Sequence, residues 1–100
     1  MLKASPSGVM AGIQRTVSVD PGNIAANVSL DVAAIAFAEV QIGDTILASA
    51  AALEAGLVIG NCFCAVAGQI TMRLANVTVG AINPAAQDFR FTVFSGRVLR

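Results

Sequence analysis

Two runs of alternating apolar and polar residues constrain this chain more than any other feature. Their apolar members are Ile70, Met72 and Leu74 in the first run and Phe89, Phe91 and Val93 in the second. Successive side chains of a β-strand point to opposite faces, so such runs are typical of strands with one buried face. We therefore expect Phe89, Phe91 and Val93 to face the core of a β-rich domain.

The rest of the chain continues this pattern. Strand-like segments cover residues 13–20, 27–37, 45–48, 57–66, 69–75 and 88–98, with a kink or bulge expected at Gly96. Residues 57–66 alternate little, which predicts a strand covered on both faces. Residues 49–56 favour a short helical turn that Ser49 caps and Gly56 ends. The sequence thus predicts an all-β fold, a small antiparallel β-sandwich or barrel of about six strands with one short helical turn.

The chain length and the character of its first residues indicate the domain organisation. One hundred residues correspond to one domain. Ser, Pro and Gly prevail in residues 1–12, which predicts an extended, flexible N-terminal arm before a single β domain at 13–100. Pro6 and Gly8 interrupt any signal-peptide core, and Glu54 interrupts the longest apolar stretch, residues 46–59. We expect synthesis in a cytosol and no membrane partner.

The composition favours self-assembly and argues against nucleic-acid binding. Apolar residues make up 56% of the chain and charged residues only 12%, and the net charge is zero. So few charges cannot cover the surface of a small domain, which favours burial against other subunits in a homo-oligomer or larger assembly. Phosphate binding needs clustered Lys or Arg, and here the bases are dispersed.

Few residues in the sequence could carry catalytic or metal-binding chemistry. The sequence has no His, so no Ser or Thr has the usual base, and Glu39, Asp44 and Glu54 are the only candidates for paired carboxylates. We expect Asp44 to cap a turn instead. Cys62 and Cys64 predict two buried, reduced thiols, since a lone pair of cysteines makes no zinc site. We expect no enzyme activity, no metal and no cofactor.

Four segments resemble small virion structural proteins of tailed bacteriophages. They are Ile-Gly-Asp-Thr-Ile-Leu at residues 42–47, Ala-Leu-Glu-Ala-Gly-Leu-Val-Ile at 52–59, Ile-Thr-Met-Arg-Leu-Ala-Asn-Val-Thr at 70–78 and Ala-Ile-Asn-Pro-Ala at 81–85. Their order and spacing resemble the pattern of capsid decoration, or cement, proteins across about residues 28–94. The pattern usually has a Pro where this chain has Ser-Ala-Ala before the second segment.

The resemblance implies a non-enzymatic protein on the capsid surface of a virion, made in the host cytoplasm. Its partners would be the major capsid protein and further copies of itself, which it would clamp without chemistry. We expect contacts from Leu2, Val9 and Met10 in the arm and from Phe94, which lies opposite the core face. Two alternatives stay open: a tail, neck or fibre accessory protein, and a small-molecule-binding β-barrel.

Overall fold

Six antiparallel β-strands make up the regular structure in the computed structural model, which describes residues 12–95. The strands are β1 (Gly12–Val19), β2 (Ser29–Ala36), β3 (Thr45–Ala50), β4 (Leu57–Val66), β5 (Gln69–Asn76) and β6 (Gln87–Phe94). They form two sheets: the β6 sheet, in the order β1–β6–β3, and the β5 sheet, in the order β2–β5–β4. The predicted all-β, sandwich-like fold of six strands is confirmed.

The two middle strands supply the centre of the core. Their inward residues are fully or almost fully buried: Ile70, Met72 and Leu74 on β5, and Phe89, Phe91 and Val93 on β6. The rings of Phe89 and Phe91 stack with their centroids 6.3 Å apart. Burying one such Phe contributes about 1.5–3 kcal/mol, so β6 anchors its sheet. The predicted inward face of this strand is confirmed.

The predicted helical turn at residues 49–56 is wrong. Ser49 and Ala50 continue β3, where they pair with Arg90 and Phe89 of β6, and residues 51–56 form turns. Ala favours helices on its own, but here the pairing with β6 overrides that preference.

The prediction that β4 is covered on both faces is also wrong. Val58 and Val66 lie on its outer face and are about half exposed. β4 is an edge strand, and its pairing with β5 shifts register between Ile59 and Cys62 and again between Phe63 and Val66. The near-continuous apolar run therefore reflects solvent-facing aliphatic side chains, not a second buried layer.

β2 is interrupted by a bulge. Its register with β5 shifts between Val32 and Ile35, and Ala34 has a φ of 59°. A non-glycine residue in this left-handed region costs roughly 1–2 kcal/mol. Elsewhere Gly22, in the connection from β1 to β2, has a positive φ of 79°, which Gly adopts without a steric cost.

The predicted arm falls almost wholly outside the described residues. Gly12, which we assigned to the arm, is the first residue of β1 and pairs with Phe94. Leu2, Val9, Met10 and the predicted kink at Gly96 lie outside the described residues.

Candidate functional site

Phe94 is the one predicted contact residue that the structure describes. It ends β6 and points to the outer face of the β6 sheet, between Gly12 of β1 and Thr45 of β3. Its side chain is half-buried, and a Cβ on Gly12 would lie only 2.9 Å from the ring atom Cε1. The ring therefore lies over Gly12 of β1.

Two exposed aliphatic residues lie at the same end of the β6 sheet. Leu47 is exposed on the outer face and pairs with Thr92, which makes it a diagonal neighbour of Phe94. Ile42, 70% exposed, lies in the turn that leads directly into β3. Sequence analysis missed both residues, although the alternation of Ile46 with Leu47 in β3 could have identified Leu47.

A second exposed apolar segment lies at the opposite end of the β6 sheet, in the connection from β5 to β6. Val77 and Val79 project from it, and Val79 is 93% exposed. The segment is held from inside by Asn76, which is 1% exposed and whose amide donates to the carbonyl oxygens of Ile24 and Gly80. Buried hydrogen bonds thus fix a loop whose tip presents aliphatic side chains to solvent.

An ion pair crosses the outer face of the β5 sheet. Arg73 Nε donates to Asp31 Oδ1 at 2.7 Å, and the guanidinium lies 5.8 Å from the ring centroid of Phe63. This hydrogen bonding lowers the pKa of Asp31 and raises the pKa of Arg73. Both side chains are nearly half exposed. Arg73 therefore lies against the outward-pointing Phe63 and pairs its charge with that of Asp31.

A second ion pair joins β1 to the connection that follows β2. Arg15 points to the inner face of the β6 sheet, stacks 5.3 Å from the ring centroid of Phe37 and donates to Glu39. The donated hydrogen bonds lower the pKa of Glu39. A general acid needs a raised pKa, whereas the ion pair lowers the pKa of Glu39.

The other carboxylate candidates do not converge with Glu39 on one site. Asp44 Oδ2 accepts a hydrogen bond from the backbone N–H of Gln41 at 2.9 Å, which confirms the predicted capping of this turn. Glu54 accepts from the N–H of Leu57 through its backbone carbonyl. Within residues 12–95, no three Cys, Asp or Glu side chains gather as metal ligands would.

Both cysteines are free thiols, as predicted, but the predicted burial is confirmed only for Cys64 and is wrong for Cys62. Cys64 is buried and lies within hydrogen-bond distance of the carbonyl oxygen of Val66, 3.1 Å away. Cys62 is half-buried, and burial raises its pKa to about 11. Its thiol therefore stays protonated at neutral pH and is a poor nucleophile.

A half-open hollow of about 420 Å³ lies on the outer face of the β6 sheet. It is lined by small and hydrophilic side chains, those of Thr16, Ser49, Ala50, Ala51, Asp88 and Arg90. Small-molecule sites are mostly apolar and enclose the ligand, so this surface does not resemble one. Among the described residues, no helix has the length and apolar character needed to cross a bilayer.

Comparison with protein-family models, curated proteins and solved structures finds no match for this chain.

Proposed function

We propose that this chain is a non-enzymatic structural protein of a tailed-bacteriophage virion. In this proposal it decorates and cements the assembled capsid as a homo-oligomer. The proposal rests on the resemblance over residues 28–94 and on the character of the surface.

The observation that carries the proposal is the pair of exposed apolar tips at opposite ends of the β6 sheet. Ile42 marks one end, near Leu47 and Phe94, and Val79 marks the other. Single exposed aliphatic residues are ordinary on soluble proteins. Here they stand on fixed turns of a surface with few charges, which suits contact with two neighbouring protein subunits.

Such a protein would work by binding alone. A ligand that binds only the assembled shell, and not its separated subunits, stabilises the shell by mass action. Each copy bridges two shell subunits, and symmetry repeats a modest gain many times. No step of this mechanism requires a nucleophile, a metal or a shifted catalytic pKa.

The test mixes the full-length chain with purified shells of the phage that carries its gene and sediments the mixture. We expect saturable co-sedimentation with many copies per shell and a higher melting temperature for the shell. A few copies per particle would instead indicate a tail, neck or fibre component. No co-sedimentation would contradict the proposal.

Two variants test whether the apolar tips make the contact. Ile42→Asp and Val79→Asp each place a charge at one tip without touching the core, and we expect either to lower retention on shells at least tenfold. Ser49→Asp is the matched control, because Ser49 is exposed on the outer face of the β6 sheet. Retention that is equal for all three variants would exclude the tips as contacts.

A further inference from the structure

β1 has the one unbroken strand edge of the described domain that faces no neighbouring strand. Four strands lie at sheet edges: β1 and β3 in the β6 sheet, and β2 and β4 in the β5 sheet. β2 and β4 both contain register shifts. β3 is regular, but it packs beside β4 across the short connection at residues 51–56. β1 pairs with β6 in continuous register from Gly12 to Val19.

The two sheets do not close on the β1 side. A groove of about 300 Å³ lies between the second half of β1 and the bulge of β2, which includes Ala33 and Ala34. Within residues 12–95, β1 pairs only with β6 and β2 only with β5. The outer N–H and C=O groups of β1 therefore lack a partner strand in a single copy.

Proteins usually protect such an edge with bulges, Pro, Lys or inward-pointing charges, because free backbone groups recruit another strand. The eight residues of β1 contain no bulge, Pro or Lys. Their one inward charge, on Arg15, forms an ion pair with Glu39 of the same chain. Ile13 also lies on the inner face, yet 39% of it stays exposed.

We infer that β1 pairs antiparallel with β1 of a second copy and joins two β6 sheets into one sheet of six strands. This inference rests on the homo-oligomer of the proposed function and names the contact that forms it. The contact is isologous, since the same strand serves both copies around a twofold axis.

The residues select the register of this pairing. Residues directly opposite in an antiparallel pair share a face, so inner residues of one copy must meet inner residues of the other. Of the registers that meet this condition, two pair the largest number of β1 residues with the second copy. One register places Arg15 opposite Arg15 of the second copy, where like charges repel. The other register centres on Thr16 and avoids that clash.

The register centred on Thr16 also improves burial. It places Ile13 opposite Val19 and Arg15 opposite Val17 of the second copy. Val19 of the second copy would then cover Ile13, which is 39% exposed in a single copy. On the outer face, Thr16 meets Thr16 of the second copy, a favourable cross-strand pair.

Charge substitutions at Thr16 test both the edge and the register. Thr16→Lys places two Lys side chains directly opposite, so light scattering should report the 10.1 kDa mass of one chain where the unsubstituted protein shows twice that mass. Thr16→Glu should do the same, and mixing the two variants should restore the doubled mass. Ser49→Lys is the matched control, because Ser49 flanks Arg90 from the other edge of the same sheet. It should keep the doubled mass.

Hydrogen exchange gives a second measurement that does not depend on a substitution. The amides of residues 12–19 should exchange more slowly as the concentration of the unsubstituted chain rises. The inference would be overturned if the unsubstituted chain is a monomer at about 100 µM. It would also be overturned if Thr16→Lys leaves the oligomer intact. A dimer that fails to bind shells would refute the capsid role and leave the β1 contact standing.

Discussion

The side-chain oxygen of Asn76 lies within hydrogen-bond distance of two donors of Thr78, the backbone N–H at 2.9 Å and the hydroxyl at 2.7 Å. The amide nitrogen of Asn76 donates to the carbonyl oxygens of Ile24, at 3.0 Å, and Gly80, at 2.8 Å. One buried amide therefore uses its full hydrogen-bonding capacity. It ties the end of β5 to the loop that presents Val79 and to the segment around Ile24.

Replacing Asn76 with Ala should destabilise the protein more than any surface substitution. The backbone N–H of Thr78 would lose its partner, and the carbonyl oxygens of Ile24 and Gly80 would each lose one of their two donors. A buried group left unsatisfied costs about 1–3 kcal/mol. We expect a loss of about 2–3 kcal/mol in the free energy of unfolding, measured by urea denaturation. Asn23→Ala, at an exposed Asn, is the control and should change little. Equal effects of the two substitutions would contradict this role.

Replacing Ala34 with Gly should stabilise the protein. The φ of Ala34 is 59°, and Gly adopts this conformation without a steric cost. We expect a gain of about 1 kcal/mol, visible as a higher urea midpoint. Ala33→Gly is the matched control in the same bulge; it relieves no strain and should cost about 0.5–1 kcal/mol. A loss of stability in both variants would show that the bulge holds Ala34 without strain.

The sequence predicted the two middle strands well and the edge strands less well. Alternation in β5 and β6 identified their inward residues because each of these strands packs one face on the core. The bulge at Ala34 left no sequence signal, since Ala neither favours nor marks a positive φ. β4 misled the prediction because aliphatic residues on an edge strand look like those of a strand buried on both faces.

The candidate surface was harder to predict than the fold. Phe94 was correctly placed opposite the core face, because period 2 continues to the end of β6. The pairs Arg15–Glu39 and Arg73–Asp31 join residues 24 and 42 positions apart. Such pairs form only when particular strands become neighbours in a particular register. The alternation of apolar and polar residues within one strand does not reveal either. The exposed tips at Ile42 and Val79 depend on turn geometry in the same way.

Stability should fall as the solution becomes acidic. Hydrogen bonds from Arg73 and Arg15 lower the pKa of Asp31 and Glu39 below the ordinary values of 3.8 and 4.5. Groups with a lowered pKa in the folded state stabilise it above the unfolded-state pKa and lose that contribution as the pH falls through the folded-state pKa. We expect no change from these groups between pH 7 and about 5.5, and a declining urea midpoint below about pH 4.5.

Asp31→Asn separates this effect from general acid denaturation. The variant should be less stable than the unsubstituted protein at pH 7, and the difference should shrink as the pH falls below 3.8, the ordinary pKa of this group, because the preference of the folded state for the charged form is then lost. Added salt should reduce the difference as well, because both partners are solvent-exposed. Asp88→Asn is the control, since Asp88 makes no ion pair within residues 12–95. A difference that stays constant with pH would exclude the ion pair as its cause.

Phe94 should contribute to self-association through its position beside the β1 edge. Its ring lies over Gly12, and in the register centred on Thr16 that glycine faces Asp20 of the second copy. Phe94→Asp would remove apolar area and place a carboxylate near that Asp20, so we expect it to weaken the dimer. Phe94→Lys removes the same area but brings an opposite charge, so it should weaken the dimer less. Sedimentation velocity across a concentration series, with circular dichroism to verify folding, distinguishes the two. Equal dimer populations in both variants and the unsubstituted chain would show that Phe94 is no subunit contact.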